Sequence, residues 1–73
     1  MAKLASIRPK DLARAFKKLG FSKHNQVGSH ATFKHPDGRR VTIPLHGREL
    51  KKGLLHGILK DAKLSIEEIK ELL

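Results

Sequence analysis

The sequence predicts an α+β domain: a three-stranded antiparallel sheet with helices on one face, in the order α-β-β-β-α, followed by a short last helix. Three observations carry this. Leu12, Phe16 and Leu19 recur at helical spacing between Pro9 and Gly20. Two alternating stretches, Ser29–His35 and Arg39–Leu45, flank a Pro36-Asp37-Gly38 turn. Leu54, Leu55, Ile58, Leu59 and Ala62 then form a broad apolar stripe of helical period.

Each element has a local reason. Pro9 suits a first helical position, where its missing N–H costs nothing, and the first helix runs to Leu19. Gly20 is the expected left-handed stop, and Phe21 follows where a hydrophobic contact back to the helix is common. Phe21–Val27 is polar and short, a weak strand, with Val27-Gly28 as the turn into the next one. Pro44 lies near the end of the third strand, where a lost ladder donor is tolerated. The second helix begins at Leu50 or Lys52 and ends at Ala62. Gly53 and Gly57 within it cost roughly 1 kcal/mol each relative to alanine. They imply either a helix start near Gly53 or close backbone approach to the sheet. Ser65-Ile66-Glu67-Glu68 is a capping box, with Leu64 and Ile69 at staple spacing. Ile66, Ile69, Leu72 and Leu73 form the stripe of the last helix.

The chain of 73 residues is expected to be a single domain, residues 1–73, with a thin stability margin. It has no cysteine, so neither disulfides nor thiolate sites support it. Residues 1–7 lack the apolar run of a signal peptide, no stretch is long enough for a membrane span, and a cytoplasmic protein is expected. The net charge is +9, and it is unevenly spread: residues 1–60 carry +11 and residues 61–73 carry −2. A basic body of this kind points to a polyanionic partner, nucleic acid above all. Lys10, Arg14, Lys17 and Lys18 lie off the apolar stripe of the first helix, as a solvated face or a phosphate-facing one.

Register follows from the three-residue loop. It pairs His35 with Arg39, Lys34 with Arg40, Phe33 with Val41, Thr32 with Thr42, Ala31 with Ile43 and His30 with Pro44. Ala31, Phe33, Val41, Ile43 and Leu45 then face the helices; His30, Thr32, Lys34, Arg40, Thr42 and His46 face outward. A slip of one residue would scramble both faces. Lys34 and Arg40 are directly opposed, which is unfavourable unless an anion lies on them. All three phenylalanines read as core, so recognition by phosphate, sugar and shape is expected rather than base stacking.

His30 is the sharpest candidate for chemistry. It follows Gly28-Ser29, with open access, and imidazole titrates near neutral pH. RNA supplies its own nucleophile, the 2′-OH. A protein need only move protons and neutralise the phosphate, with no metal or other cofactor. His46 is the candidate second acid/base by geometry, on a diagonal from His30. Phosphate binding is assigned to Lys34, Arg40, Lys23, Lys51 and Lys52, with Thr32 or Thr42 orienting it, and Ser29 is counted among the RNA-binding residues. His24 and His35 read as exposed bystanders and His56 as partly exposed. No pair has zinc spacing, and Asp11, Asp37 and Glu49 offer no paired carboxylates for a two-metal site. The residues alone leave two alternatives open: a non-catalytic RNA-binding module, and a partner for an acidic protein.

The run Gly20-Phe21, Gly28-Ser29-His30-Ala31-Thr32-Phe33, His35-Pro36-Asp37-Gly38, Val41-Thr42-Ile43-Pro44-Leu45-His46 and Leu50-Lys51-Lys52-Gly53 resembles the HicA toxin family. The resemblance covers about residues 7–70. It implies a fold like the double-stranded RNA-binding domain. It also implies a ribosome-independent mRNA interferase, a toxin that arrests translation, with His30 at the family's active-site histidine. A HicB-like antitoxin is the implied protein partner, with the toxin monomeric when free and hetero-oligomeric with the antitoxin.

Overall fold

The computed structural model describes residues 7–45, 47 and 49–73. Helix α1 (Pro9–Lys18) leads into strands β1 (Ser22–Val27), β2 (His30–Lys34) and β3 (Arg40–Pro44), then helices α2 (Lys52–Ala62) and α3 (Ile66–Lys70). The expected fold class is the one observed. The sheet is antiparallel in the order β1-β2-β3, so β2 is central and the outer two strands are edges.

Helix α1 starts on Pro9 and buries Pro9, Leu12, Ala13, Ala15 and Phe16. It closes in a Schellman arrangement: Phe21 N–H donates to the Phe16 carbonyl and Gly20 N–H to that of Lys17, at 3.0 and 3.1 Å. Gly20 has φ +99°, and a Cβ there would sit 2.9 Å from Nε2 of His35. Glycine is thus required both by the backbone angle and by the approach of the hairpin. The Phe16 and Phe21 rings meet with centroids 4.9 Å apart, which is the contact the sequence predicts across this stop.

The turn between β1 and β2 is one residue later than the sequence suggests. Val27 pairs with His30, leaving Gly28-Ser29 as a two-residue loop. Gly28 has φ +61° and Ser29 does not have positive φ, the pattern of a type II′ turn. That turn follows the right-handed twist of the strands and needs glycine first, which the side-chain pattern alone did not reveal. The β2–β3 register is as predicted, from Lys34↔Arg40 to His30↔Pro44. His35 N–H donates to the Arg39 carbonyl at 2.9 Å, and Leu45 N–H bonds the Ser29 carbonyl. These ends fix the alternation: His30–Pro44, Thr32–Thr42 and Lys34–Arg40 are all non-hydrogen-bonded pairs. Their Cα atoms therefore stand about 4.5 Å apart. The missing N–H of Pro44 consequently points to the free edge of β3, where nothing needs it.

Ala31, Phe33, Val41 and Ile43 are buried against Leu12, Phe16, Leu55, Ile58 and Leu59. Helices α1 and α2 lie on this one face and pack on β3, while all of β1 stays exposed. Two apolar positions depart from expectation. Leu54 is 47% exposed, because Leu55, Ile58, Leu59 and Ala62 make the buried stripe and Leu54 lies one residue, about 100° of helix, off it. Leu73 is 45% exposed, beyond the end of α3. Gly53 sits at the helix start, but a Cβ on Gly57 would meet nothing within 4 Å, so that glycine serves no close approach to the sheet. The capping box is present: Glu68 N–H donates to Ser65 Oγ at 3.2 Å and Ser65 N–H to Glu68 Oε1 at 3.0 Å.

Candidate nucleic-acid interface

The outward face of the sheet carries five of the ten predicted site residues. From β2 it carries His30, Thr32 and Lys34; from β3 it carries Arg40 and Thr42. His30, Lys34, Arg40 and Thr42 are exposed, and Thr32 at the centre is half-buried. Strand geometry places His30 and Lys34 about 13 Å apart along β2. Lys34 and Arg40, opposed at a non-hydrogen-bonded pair, crowd two cations at one end of that line. His30 stands at the other end, lifted by the II′ turn whose Ser29 is half-buried. The face thus has an imidazole at one end, hydroxyls in the middle and a double positive charge at the other. Val27, opposite His30 and 71% exposed, adds an apolar side chain that the sequence pattern did not single out.

The remaining predicted residues lie elsewhere. Lys23 pairs with Phe33, so it projects to the helix side of the sheet, away from Lys34 and Arg40. The register shift between Lys23 and Asn25 leaves His24 as the extra residue of a bulge and returns Asn25 to the outward face, opposite Thr32. Lys51 is the N-cap of α2 and Lys52 its first residue, both exposed. The helix they head contributes Gly53, Leu54, Gly57 and Asp61 to a groove shared with Arg40 and Thr42 along the edge of β3. His46 and Arg48 lie outside the described residues, as do residues 1–6. Among the described residues, no three His, Cys, Asp or Glu side chains converge as a metal site.

His35 is not the exposed bystander the sequence suggests. Its Nε2 donates to the Leu19 carbonyl at 3.1 Å, and its Nδ1 accepts from Asp37 N–H at 3.1 Å. Asp37 Oδ1 also lies 3.0 Å from Nδ1. The His35 ring meets Phe21 edge-on with centroids 5.0 Å apart. Arg39 is also held by the fold. Its Nη1 donates to the Ala62 carbonyl at 2.7 Å and its Nε to Asp37 Oδ2 at 2.8 Å, and its guanidinium lies over Phe21, 5.1 Å from the ring centroid. Asp37 in turn accepts from Arg39 N–H at 3.0 Å. That backbone bond, with the Arg39 side chain and the nearby His35, holds the Asp37 carboxyl below its ordinary value of 3.8. Parity along the hairpin gave the clue: His35 and Arg39 fall on the Phe33 and Val41 side, so they belong to the packed face.

Fold and site together define a small basic α+β domain that presents an open cationic sheet face with a histidine on it. A family model described as "HicA toxin of bacterial toxin-antitoxin" matches residues 9–64, spanning the first helix, the whole sheet and the second helix. The chain belongs to the HicA toxin family, and its role is that of the toxin in a toxin–antitoxin pair, in which HicA toxins are partnered by HicB antitoxins. Comparison with curated proteins finds no match. Among the described residues, no helix is long and apolar enough to cross a membrane.

Proposed function

We propose that this toxin is an endoribonuclease that cleaves mRNA in the cytoplasm, with His30 as its general acid/base. The observation that carries the proposal is the sharing of one open sheet face by His30 and the opposed Lys34–Arg40 pair. The RNA 2′-oxygen attacks the adjacent phosphorus as the P–O5′ bond breaks, leaving a 2′,3′-cyclic phosphate and a 5′-hydroxyl. The proton leaves the 2′-OH and one is delivered to O5′. His30 takes part in this transfer, and a positioned imidazole contributes typically 10²–10⁴-fold in rate. Lys34 and Arg40 offset the charge of the phosphate along the strand, and Thr32 and Thr42 offer hydroxyls between them and the imidazole. His46, in the segment after β3, is the candidate partner for the second proton transfer. In the cell a HicB-like antitoxin occupies the toxin, which is a monomer when free.

The test is His30→Ala, measured against the parent chain for thermal melting, RNA binding and cleavage. The variant keeps its fold, because His30 is exposed, and binds RNA within a few fold, yet cuts it roughly 10²–10⁴-fold more slowly. A variant that cuts as fast as the parent refutes the assignment. A parent that retains RNA uncut is instead a non-catalytic RNA-binding module.

A further inference from the structure

The groove between α1 and the helix-side surface of β1 collects a second set of cations. Lys10, Arg14 and Lys17 project from α1 at positions i, i+4 and i+7, and Lys23 reaches the same groove from β1, over a floor that includes Ala13 and Phe33. All four basic side chains are exposed. Helices α1 and α2 pack mainly on β3, and β1 is exposed along its whole length, so the underside of that strand is open. Lys18, next in sequence, is not part of it; its Nζ reaches the Leu72 carbonyl at 3.5 Å.

Helix stability accounts for only part of this arrangement. Lys17 lies in the last turn of α1, where the macrodipole favours a cation. Lys10 lies in the first turn, where the macrodipole disfavours one. Asp11 is the single acid on α1, and it sits 3.6 Å from Arg14. Lys10 and Lys17 make no ion pair with a described residue, and Lys23 bonds a neutral group, Gln26 Oε1, at 3.0 Å. Glu49 borders the adjoining cavity with Arg8 and Lys10, so the sign becomes mixed beyond the N-terminal end of the helix. The concentrated positive charge lies between Lys10 and Lys23.

We propose that this groove is a second phosphate-binding track, which holds the RNA backbone flanking the cleaved segment after the strand passes around the exposed edge of β1. The proposal rests on the reading of His30 and its sheet face as the cleavage site. Charge complementarity selects a polyanion. The linear i, i+4, i+7 spacing along α1 matches a partner with regularly repeated charge.

The experiment measures binding of a uniformly 2′-O-methylated single-stranded RNA, which lacks the attacking hydroxyl and stays intact, as a function of salt. The parent is compared with the triple variant Lys10→Gln, Arg14→Gln, Lys17→Gln, and with a control of equal charge loss, Lys60→Gln, Lys63→Gln, Lys70→Gln. Single-strand binding changes its salt slope by about 0.7 for each phosphate that the protein no longer neutralises. The triple variant's slope is therefore shallower by about 2, so that over a fourfold rise in salt the parent loses about 20-fold more affinity than the variant does. The control keeps the parent slope. Lys23→Gln, on a different element, lowers the slope by about 0.7 and serves if the triple variant melts early. An unchanged slope in the triple variant overturns the proposal, as does an equal fall in the control. A parent that neither binds this RNA nor cuts unmodified RNA removes the functional reading itself.

Discussion

Arg39 offers the sharpest separation of charge used for folding from charge used for binding. Replacing it by Met keeps the length of the side chain and removes three interactions. The bond to the Ala62 carbonyl, at 2.7 Å, ties the β2–β3 hairpin to the end of α2. A hydrogen bond from a charged group is worth about 1.5–3 kcal/mol. The guanidinium over the Phe21 ring adds about 0.5–1 kcal/mol. The ion pair to Asp37 adds little to this sum, because solvent screens an exposed carboxylate. The expected loss is thus about 2–4 kcal/mol. For a domain of this size each kcal/mol moves Tm by about 4–8 °C, so the melting point falls by about 8–32 °C. Circular dichroism melts measure this directly. Arg39→Lys recovers little, because an ammonium cannot serve the carbonyl, the carboxylate and the ring in one planar geometry. Cleavage of RNA per folded molecule stays at the parent level, since Arg39 faces the packed side of the hairpin. A Tm within about 4 °C of the parent refutes the reasoning, because it leaves less than about 1 kcal/mol for all three interactions. Loss of cleavage at unchanged stability refutes it from the other side.

Three further outcomes follow from the same framework. Phe33→Ala empties the centre of the core, where Phe33 is 1% exposed, and costs about 3–5 kcal/mol; a denaturant titration at 25 °C shows a largely unfolded or barely stable chain. Ser65→Ala removes one half of the capping box and costs about 1 kcal/mol, read as a fall in Tm with α3 exchanging its amide protons faster. Asp37 gives a pH signature. Its carboxyl is held below 3.8 in the folded chain, so its stabilising effect is complete above that value and is lost as pH falls through the lower folded value. The Tm difference between the parent and Asp37→Asn is therefore widest near neutrality and closes in acid below about pH 4; a difference that widens in acid contradicts the assigned hydrogen bonds.

Local pattern was enough to set the element order, the β2–β3 register and the two-sidedness of the hairpin. Alternation and a three-residue loop leave one register that buries Phe33, Val41 and Ile43 together. The same pattern placed His30, Lys34 and Arg40 on one face, since parity along a strand needs no tertiary information. Which cations are available for binding was settled by packing. Arg39 and His35 look like surface residues in a polar loop, but Leu19, Phe21 and Ala62, all distant in sequence, converge on them. The bulge at His24 set the faces of β1, and a one-residue irregularity in a polar strand has no hydrophobic signal to announce it. The position of the helices, packed on β3 and leaving β1 open, is likewise a long-range outcome. It puts Lys23 beside Lys10, Arg14 and Lys17, where the linear sequence had grouped it with Lys34 and Arg40. Periodicity fixes which side of an element a residue faces. Only packing between elements fixes what stands opposite it.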